Sequence, residues 1–286
     1  MRESMEALLH AHHMTIYTVL FFGTVGTVAL WESVTPLRRL NASLRQRWLG
    51  NFGIMFVNTA LIWAVFPGAA IGTALAVWSA DWGLLRWLDL PYWPAFFAAI
   101  LLMDLCRYTE HFLLHRLPLL WRIHRPHHTD LDFDVTTAVR FHPAEALLMT
   151  TAKIAVVAAL GAPVAAVLVY ELAYPLTTFW VHANVRLPVG VDRAMRWLLL
   201  TPDMHRAHHS IVPQELNSNF GGLFSFWDRL FGTYTHEPAA GHLGMRIGLP
   251  EFQDHRHLSL KWMLLNPFLA EAPQPASEPR PQRAAL

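Results

Sequence analysis

The sequence has a single cysteine, Cys106, in 286 residues. One thiol permits no disulfide within the chain and no cysteine-based zinc or iron–sulfur site. Charge is scarce as well. Only 15% of residues are Asp, Glu, Lys or Arg, where an average soluble domain carries about a quarter. The 22 basic and 21 acidic residues leave a net charge of +1, which offers no electrostatic footprint for nucleic acid. No G-x-G-x-x-G stretch is present to hold a flavin or nicotinamide. What the chain has in quantity is apolar sequence and histidine. Hydrophobic residues make up 53% and histidines number 17, and the mean hydropathy is +0.27. Membrane segments are therefore the first thing to locate.

Met14 to Trp31 runs 18 residues without a charge. A helix rising about 1.5 Å per residue needs roughly 20 residues to cross the hydrocarbon core. Glu3 and Glu6 precede this run and no small-residue cleavage site follows, so it reads as an uncleaved span rather than a signal peptide. Phe52 to Trp78 reads as a second span kinked at Pro67-Gly68. Tyr92 to about Tyr108 reads as a third, with Asp104 and Arg107 at its far end. Ala146 to Leu160 and Val164 to Val181 flank Gly161-Ala162-Pro163, which predicts a helical hairpin. Lys153 on its first arm needs a partner or a route to the interface.

Five alternating spans put segments 33–51 and 109–145, with four arginines each, on one face, and only Arg86 on the other. The positive-inside rule makes the arginine-rich face cytoplasmic, and the dense histidines fall on it. The expectation is an all-α integral membrane bundle of about four to five spans with a cytosolic histidine-rich helical cap. Three regions follow: 1–90 with two spans, 91–240 with the histidine motifs, and a C-terminal extension 241–286. The end of that extension, EAPQPASEPRPQRAAL, reads as a disordered tail.

Ten of the 17 histidines lie between 111 and 209. They form HxxxH at His111 and His115, and HxxHH at His124, His127 and His128. His142 and His182 stand singly, and a second HxxHH follows at His205, His208 and His209. Residues i and i+4 of a helix share a face about 5–6 Å apart, so His111 and His115 can reach one metal. In HxxHH, the i, i+3 pair is expected on one ion, with the adjacent third histidine turned to a second. The three boxes hold eight donors, more than one four- or five-coordinate ion takes, so the count predicts two metals.

Imidazole suits Zn, Cu, Fe and Ni alike. A closed structural zinc site usually recruits cysteine. A zinc protease needs the Glu of HExxH, whereas Phe112 follows His111. A carboxylate-bridged di-iron bundle needs Glu-x-x-His, and no Glu in this chain has a histidine three residues on. An all-histidine donor set at a membrane face fits two irons that activate O2. Outside the boxes, His10, His12 and His13 read as a solvated pre-membrane segment, and His236, His242, His255 and His257 as surface residues.

With these motifs in place, the order of spans, HxxxH, HxxHH, hairpin and HxxHH resembles the membrane fatty acid hydroxylase / sterol desaturase superfamily. Arg140-Phe-His142-Pro143-Ala-Glu145 looks like that family's R-x-HP-x-E segment. Phe179-Trp-Val-His182-Ala-Asn184 looks like its isolated histidine before the third box. Thr201-Pro202-Asp-Met-His205 leads into that box as the family does, and Asn219-Phe-Gly221 and Trp227-Asp-Arg-Leu-Phe-Gly-Thr-Tyr234 look like its tail. The resemblance covers roughly residues 90–235.

It implies an integral membrane oxidoreductase with two non-haem irons, which uses O2 and external electrons to hydroxylate or desaturate a lipid. Carried over by position, the ligands would be His111, His115, His124, His127, His128, His182, His205, His208 and His209. His142 would be a tenth ligand or a donor to one. Asp104, Glu145, Asn184 and Asn219 are the candidates for orienting imidazole N–H groups. One position departs from the pattern: Arg186 stands where the fatty acid 2-hydroxylase branch has a second histidine. That favours the sterol-desaturase-like branch or the alkylglycerol-cleaving branch.

The resemblance also implies a lipid substrate drawn from the bilayer and a separate electron-transfer protein of ferredoxin or cytochrome type. Arg116, Arg122, Arg125 and Arg206 are candidates to dock that partner or lipid head groups. Segment 182–260, with Trp197, Phe220, Phe224, Phe226, Trp227 and Phe231, is expected as an interfacial lid. The competing readings are a zinc-dependent membrane hydrolase built on the same boxes and a non-enzymatic metal transporter. Transporters hold their ligands near the bilayer midplane on broken helices, whereas these boxes sit at span ends.

Overall fold

The structure is a computed structural model that describes residues 2–270, and side chains at 12 and from 14 onward. The expected C-terminal tail and the side chains of His10 and His13 lie outside the described residues. Among the described residues all regular structure is helical, apart from two isolated β-bridges joining Leu199 to Phe224 and Ser210 to Ile247.

The membrane part is built from α1 (Arg2–Val34), α2 (Leu44–Val65), α3 (Ala69–Ser79), the short α4 (Leu84–Trp87) and α5 (Tyr92–Arg116). After α6 (Pro118–His128) it is completed by α7 (Pro143–Leu160) and α8 (Val164–Val181). Among the described residues four segments are long and apolar enough to cross a membrane: Met14–Val34, Leu44–Trp87, Pro143–Leu160 and Val164–Val181. In the first two, only 6% and 11% of the most apolar window is buried against protein. Phe22, Phe56 and Trp63 are 68%, 66% and 63% exposed. An apolar surface of that extent is matched by hydrocarbon, not by water.

The second expected span starts earlier than the sequence suggests and is broken rather than kinked. α2 ends at Val65, Gly68 takes φ 84°, and α3 resumes at Ala69. Pro67 has no amide to continue the ladder, and a left-handed Gly68 redirects the chain. The third expected span is a longer helix, α5, which falls outside the set of apolar segments. Its Asp104 and Arg107 are turned inward and buried, as charged groups at that depth must be.

The predicted hairpin is present. Gly161 ends α7 at φ 61°, and α8 follows from Pro163. A Cβ on Gly161 would lie 2.1 Å from the Trp82 carbonyl oxygen, so only glycine fits where the 80–83 loop meets the hairpin tip. Lys153 finds its partner across the hairpin, with Nζ 2.6 Å from Glu171 Oε1. Small residues, among them Ala74, Ala99 and Ala166, let α3, α5, α7 and α8 approach closely in the bundle core.

At the opposite end the interior is polar. Arg47, at the start of α2, donates to Asp130 at 2.8 and 3.0 Å and also to Asp134. Arg140 donates to Asn51, Thr129 and the His257 carbonyl. Asp134 caps the 3-10 turn Val135–Val139. These fully buried pairs fasten the 129–140 loop to α2.

Two of the arginines expected at a docking face belong to the same internal frame. Arg125 donates to Asn266, and Arg206 to Asp203 and to the Ala183 and Val185 carbonyls, all without solvent exposure of the arginine. Arg116 and Arg122 are exposed. The expected lid is mixed in the same way. Phe220 is fully buried beside the histidines, and Trp227 donates its indole N–H to Asp104, while Trp197 and Phe231 face outward.

Candidate metal centre

Four helices meet by their C-terminal ends beneath the bundle. His111 and His115 sit on the last turns of α5, and His124, His127 and His128 end α6. His182 caps the C-terminus of α8. After α9 (Val189–Met195), α10 (Pro202–His208) carries His205 and His208 and is capped by His209. Thr201 accepts from the Met204 amide as N-cap, and Pro202 takes the first helical position, where its missing amide costs nothing. Helix C-termini carry partial negative charge, so the convergence favours a cation.

The histidines divide into two groups. His111, His115, His124, His128 and His208 bring ligand nitrogens within 4.8 Å of one another, and His127, His182, His205 and His209 form a second such set. Each HxxHH box therefore serves both groups, and the expected pairing is corrected. It is the i, i+4 histidines that share a group, His124 with His128 and His205 with His209, while the middle histidine turns to the other. The reason is angular: at 3.6 residues per turn, i and i+4 differ by about 40° around the helix, and i and i+3 by about 60° the other way. Rings of His128 and His209 stack at 4.6 Å and join the two groups.

Several rings are oriented by one nitrogen and leave the other for a ligand. Nδ1–H of His111 donates to the Phe220 carbonyl at 3.1 Å, that of His208 to Ser218 at 2.7 Å, and that of His182 to Thr178 at 2.7 Å. His124 Nδ1 donates to Glu145 Oε1 at 2.7 Å. The Nε2 atoms of His111, His208 and His209, both nitrogens of His115, and Nδ1 of His127, His128 and His205 are buried with no partner. Buried polar atoms are almost always satisfied, and the orphaned Nε2 atoms of His111, His208 and His209 fit rings that bind metal through that nitrogen. Facing ring nitrogens agree: Nε2 of His182 lies 3.0 Å from that of His205 and 3.3 Å from that of His127.

Electrostatics prepare the same state. Burial, reinforced by neighbouring His124, pushes His208 down to about 3, and burial pushes His182 down to about 4. His127, His128, His205 and His209 are driven well below the ordinary histidine value by burial first and by one another second. The rings are therefore neutral at neutral pH, the form that binds metal. Phe220 packs on His111, His115 and His208, Phe133 on His182 and His209, and Phe141 stacks on His127 at 5.0 Å. A small cavity of about 30 Å³ opens against His111, His127, His182 and His205, with Arg107, Phe141 and Tyr174 in its wall.

The remaining sequence candidates fall elsewhere. His142 joins neither group. Its Nδ1 accepts from the Ala144 amide as N-cap of α7, and its Nε2 donates to the Leu264 carbonyl. Asp104 holds the Leu223 and Phe224 amides and Trp227. Asn184 bonds the Arg38 backbone, and Asn219 the Met204 and Thr235 backbones. Only Glu145 among the four touches a histidine. Sequence reasoning missed Asp228, which accepts from the Phe220 and Gly221 amides and so holds the strand of chain that presents its carbonyl to His111. Its position seven residues after the glycine of a family-like Asn219-Phe-Gly221 was the available signal.

The fatty acid hydroxylase family model matches residues 96–233, which contain both histidine groups. An alkylglycerol monooxygenase from Xenopus tropicalis is 28% identical over 213 residues, covering 71% of this chain and 46% of that protein. The ornithine lipid hydroxylase OlsE of Rhizobium tropici is 29% identical over 240 residues, 79% of this chain and 69% of that one. A very-long-chain aldehyde decarbonylase GL1-8 from Oryza sativa subsp. indica is 26% identical over 238 residues, 77% of this chain and 88% of that one. The chain spans less than half the length of the alkylglycerol monooxygenase from Xenopus. No solved structure matches significantly. The family match over residues 96–233 and these relatives support the fatty acid hydroxylase superfamily for this chain.

Proposed function

We propose that this chain is a membrane-bound oxygenase that hydroxylates or desaturates a lipid with O2 and electrons from a separate protein. The observation that carries the reading is the pair of all-histidine groups, with unpartnered nitrogens, at the foot of an apolar bundle. His111, His115, His124, His128 and His208 would hold one iron, and His127, His182, His205 and His209 the other. When bound, the two irons supply O2 activation for attack on an unactivated C–H bond. The names of the relatives support a lipid as the substrate, since two are lipid or alkylglycerol oxygenases.

The residues of the chain act around that chemistry. Glu145 fixes the tautomer and orientation of His124, and the carbonyls of Thr178, Ser218 and Phe220 do the same for His182, His208 and His111. Phe133, Phe141 and Phe220 exclude water from the rings. The reacting carbon would sit in the cavity walled by Arg107, Phe141 and Tyr174. By the positive-inside rule the histidine end faces the cytoplasm, where a soluble ferredoxin or a cytochrome would deliver electrons.

Metal analysis of purified, iron-replete protein tests the reading, together with Mössbauer spectra and transfer of 18O from labelled O2 to cellular lipid. A coupled iron pair and labelled lipid are expected. Stoichiometric zinc that persists under iron-replete expression, with no O2 uptake, would replace it with a zinc hydrolase.

A further inference from the structure

We propose that Asn219, which touches neither ring, is the positioning residue that sets His111 and His208 in register with one another. It acts through the two backbone carbonyls that flank it. This rests on the metal-binding reading above and names what holds two rings of one group together.

His111 comes from α5 and His208 from α10, and both belong to the five-histidine group. Their Nδ1 partners stand two residues apart on one short segment. The Ser218 carbonyl accepts from His208 at 2.7 Å, and the Phe220 carbonyl accepts from His111 at 3.1 Å. In each ring Nε2 is left buried without a partner. Ser218, Asn219 and Phe220 are themselves fully buried. Between the two carbonyls the chain takes φ 54° at Asn219. Few residues other than glycine adopt that conformation, and asparagine is one of them. This torsion is rotation about the N–Cα bond of Asn219, so it sets the angle between the Ser218 carbonyl and everything that follows. A change to φ of about −60° would swing the Ser218 peptide by roughly 110° relative to Phe220. One of the two bonds to the rings would be lost.

The Asn219 side chain holds the conformation. Its Nδ2 donates to the Met204 and Thr235 carbonyls, both at 2.9 Å, and its Oδ1 accepts from the Thr235 amide at 2.9 Å. Its backbone N–H donates to the Thr233 carbonyl at 2.9 Å. Met204 lies on α10, so the same carboxamide ties the segment to the helix that carries His208. From the other side, Asp228 accepts from the Phe220 and Gly221 amides at 2.7 and 3.0 Å. With the segment gripped at both ends, the two carbonyls are fixed before any metal arrives, and both rings present Nε2. The four-histidine group is oriented elsewhere: His182 donates to the Thr178 carbonyl on α8.

Titration of the metal-stripped, full-length protein in detergent with cobalt(II), followed by visible absorption, tests this. His124→Ala and His182→Ala mark the signals of the five- and four-histidine groups. Asn219→Gly gives up the side-chain bonds but reaches positive φ freely, whereas Asn219→Ala gives up both. The five-histidine group is expected to bind cobalt about tenfold more weakly in Asn219→Gly and about 100-fold more weakly in Asn219→Ala, the range for lost support of a metal ligand. The four-histidine group is expected to keep its affinity in both variants. A general loosening of the cap would weaken both groups alike and would not be relieved by glycine. Equal losses in the two groups, no loss in the five-histidine group, or a loss in Asn219→Gly as large as in Asn219→Ala overturns the proposal. If Asn219→Ala does not fold, Asn219→Gly decides by the contrast between the groups. If neither folds, 15N-histidine spectra of the unaltered stripped protein decide: Nδ1–H is expected for His111 and His208, and Nε2–H in either overturns the proposal. Cobalt binding needs neither O2 nor lipid. Absent oxygen transfer with the expected cobalt pattern removes the oxygenase reading alone, and an overturning cobalt pattern with oxygen transfer removes this proposal alone.

Discussion

Glu145 Oε1 lies 2.7 Å from His124 Nδ1, and neither side chain meets solvent. The first turn of α7 thus reaches the end of α6 and sets the orientation of one ring of the five-histidine group. Carboxylates that orient metal-bound histidines contribute roughly 10–100-fold in metal affinity. Glu145→Ala is expected to lose metal from that group by such a factor, and Glu145→Gln by less, while the four-histidine group stays loaded. Metal content against free-metal concentration reads the two sites separately. Equal loss from both groups would contradict the assignment.

His127 and His142 should part company. His127→Ala removes a ring whose Nε2 lies 3.3 Å from that of His182, so metal and lipid oxidation are expected to fall together. His142→Ala removes a helix cap and a bond to Leu264. It should keep its metal and lose about 1 kcal/mol of stability, the usual worth of an N-cap. Metal analysis and a melting curve on each variant separate the roles.

Acid should unfold the metal-stripped protein early. His182 and His208 are held at about 4 and about 3, below their ordinary value of 6.5. Below 6.5 the unfolded chain takes up protons that these rings refuse in the fold, so stability falls as pH falls. The stability is complete above about 6.5 and is lost through the window down to about 3–4. Metal competes with protons for the same nitrogens, so it should be released in that window and should protect above it. Melting temperatures of stripped and loaded protein between about pH 7 and 4 check this; a flat profile for the stripped form would refute it.

The joint between cap and bundle is electrostatic. Burial raises the Asp130 carboxyl, but Arg47 and Arg140 outweigh it and hold the group well below the usual carboxylate range. Arg47→Met strands Asp130 and Asp134 without their cation. Removing one partner of a buried pair costs about 3–5 kcal/mol. Detergent-resistant unfolding measured by titration with dodecyl sulfate should show a loss of that order, with metal affinity reduced as the 129–140 loop loosens.

Much of this was readable from local pattern. An apolar run reports its solvent directly, and Gly161 with Pro163 breaks a helix wherever it stands, so the hairpin α7–α8 was found within a few residues. Eight of the nine histidines were identifiable because HxxxH and HxxHH are periodic on a helix, and His182 only through the family resemblance. The break at Gly68 was read only as a kink, since a Pro-Gly pair does not disclose the angle it produces. The roles of Asp104, Asn184 and Asn219 were misjudged for a related reason. A polar residue near a histidine in sequence or family pattern has several backbone groups within reach, and the closer one takes it.

The sequence by itself determined that the chain is a helical membrane protein with histidines enough for two metals, because hydropathy and helical period are properties of neighbouring residues. Only the tertiary structure decided which histidine serves which group. Adjacent side chains on a helix diverge by about 100°. His127 and His128 therefore part in direction, and what each meets depends on how α6 crosses α10 and α8, a matter of distant residues brought together by packing.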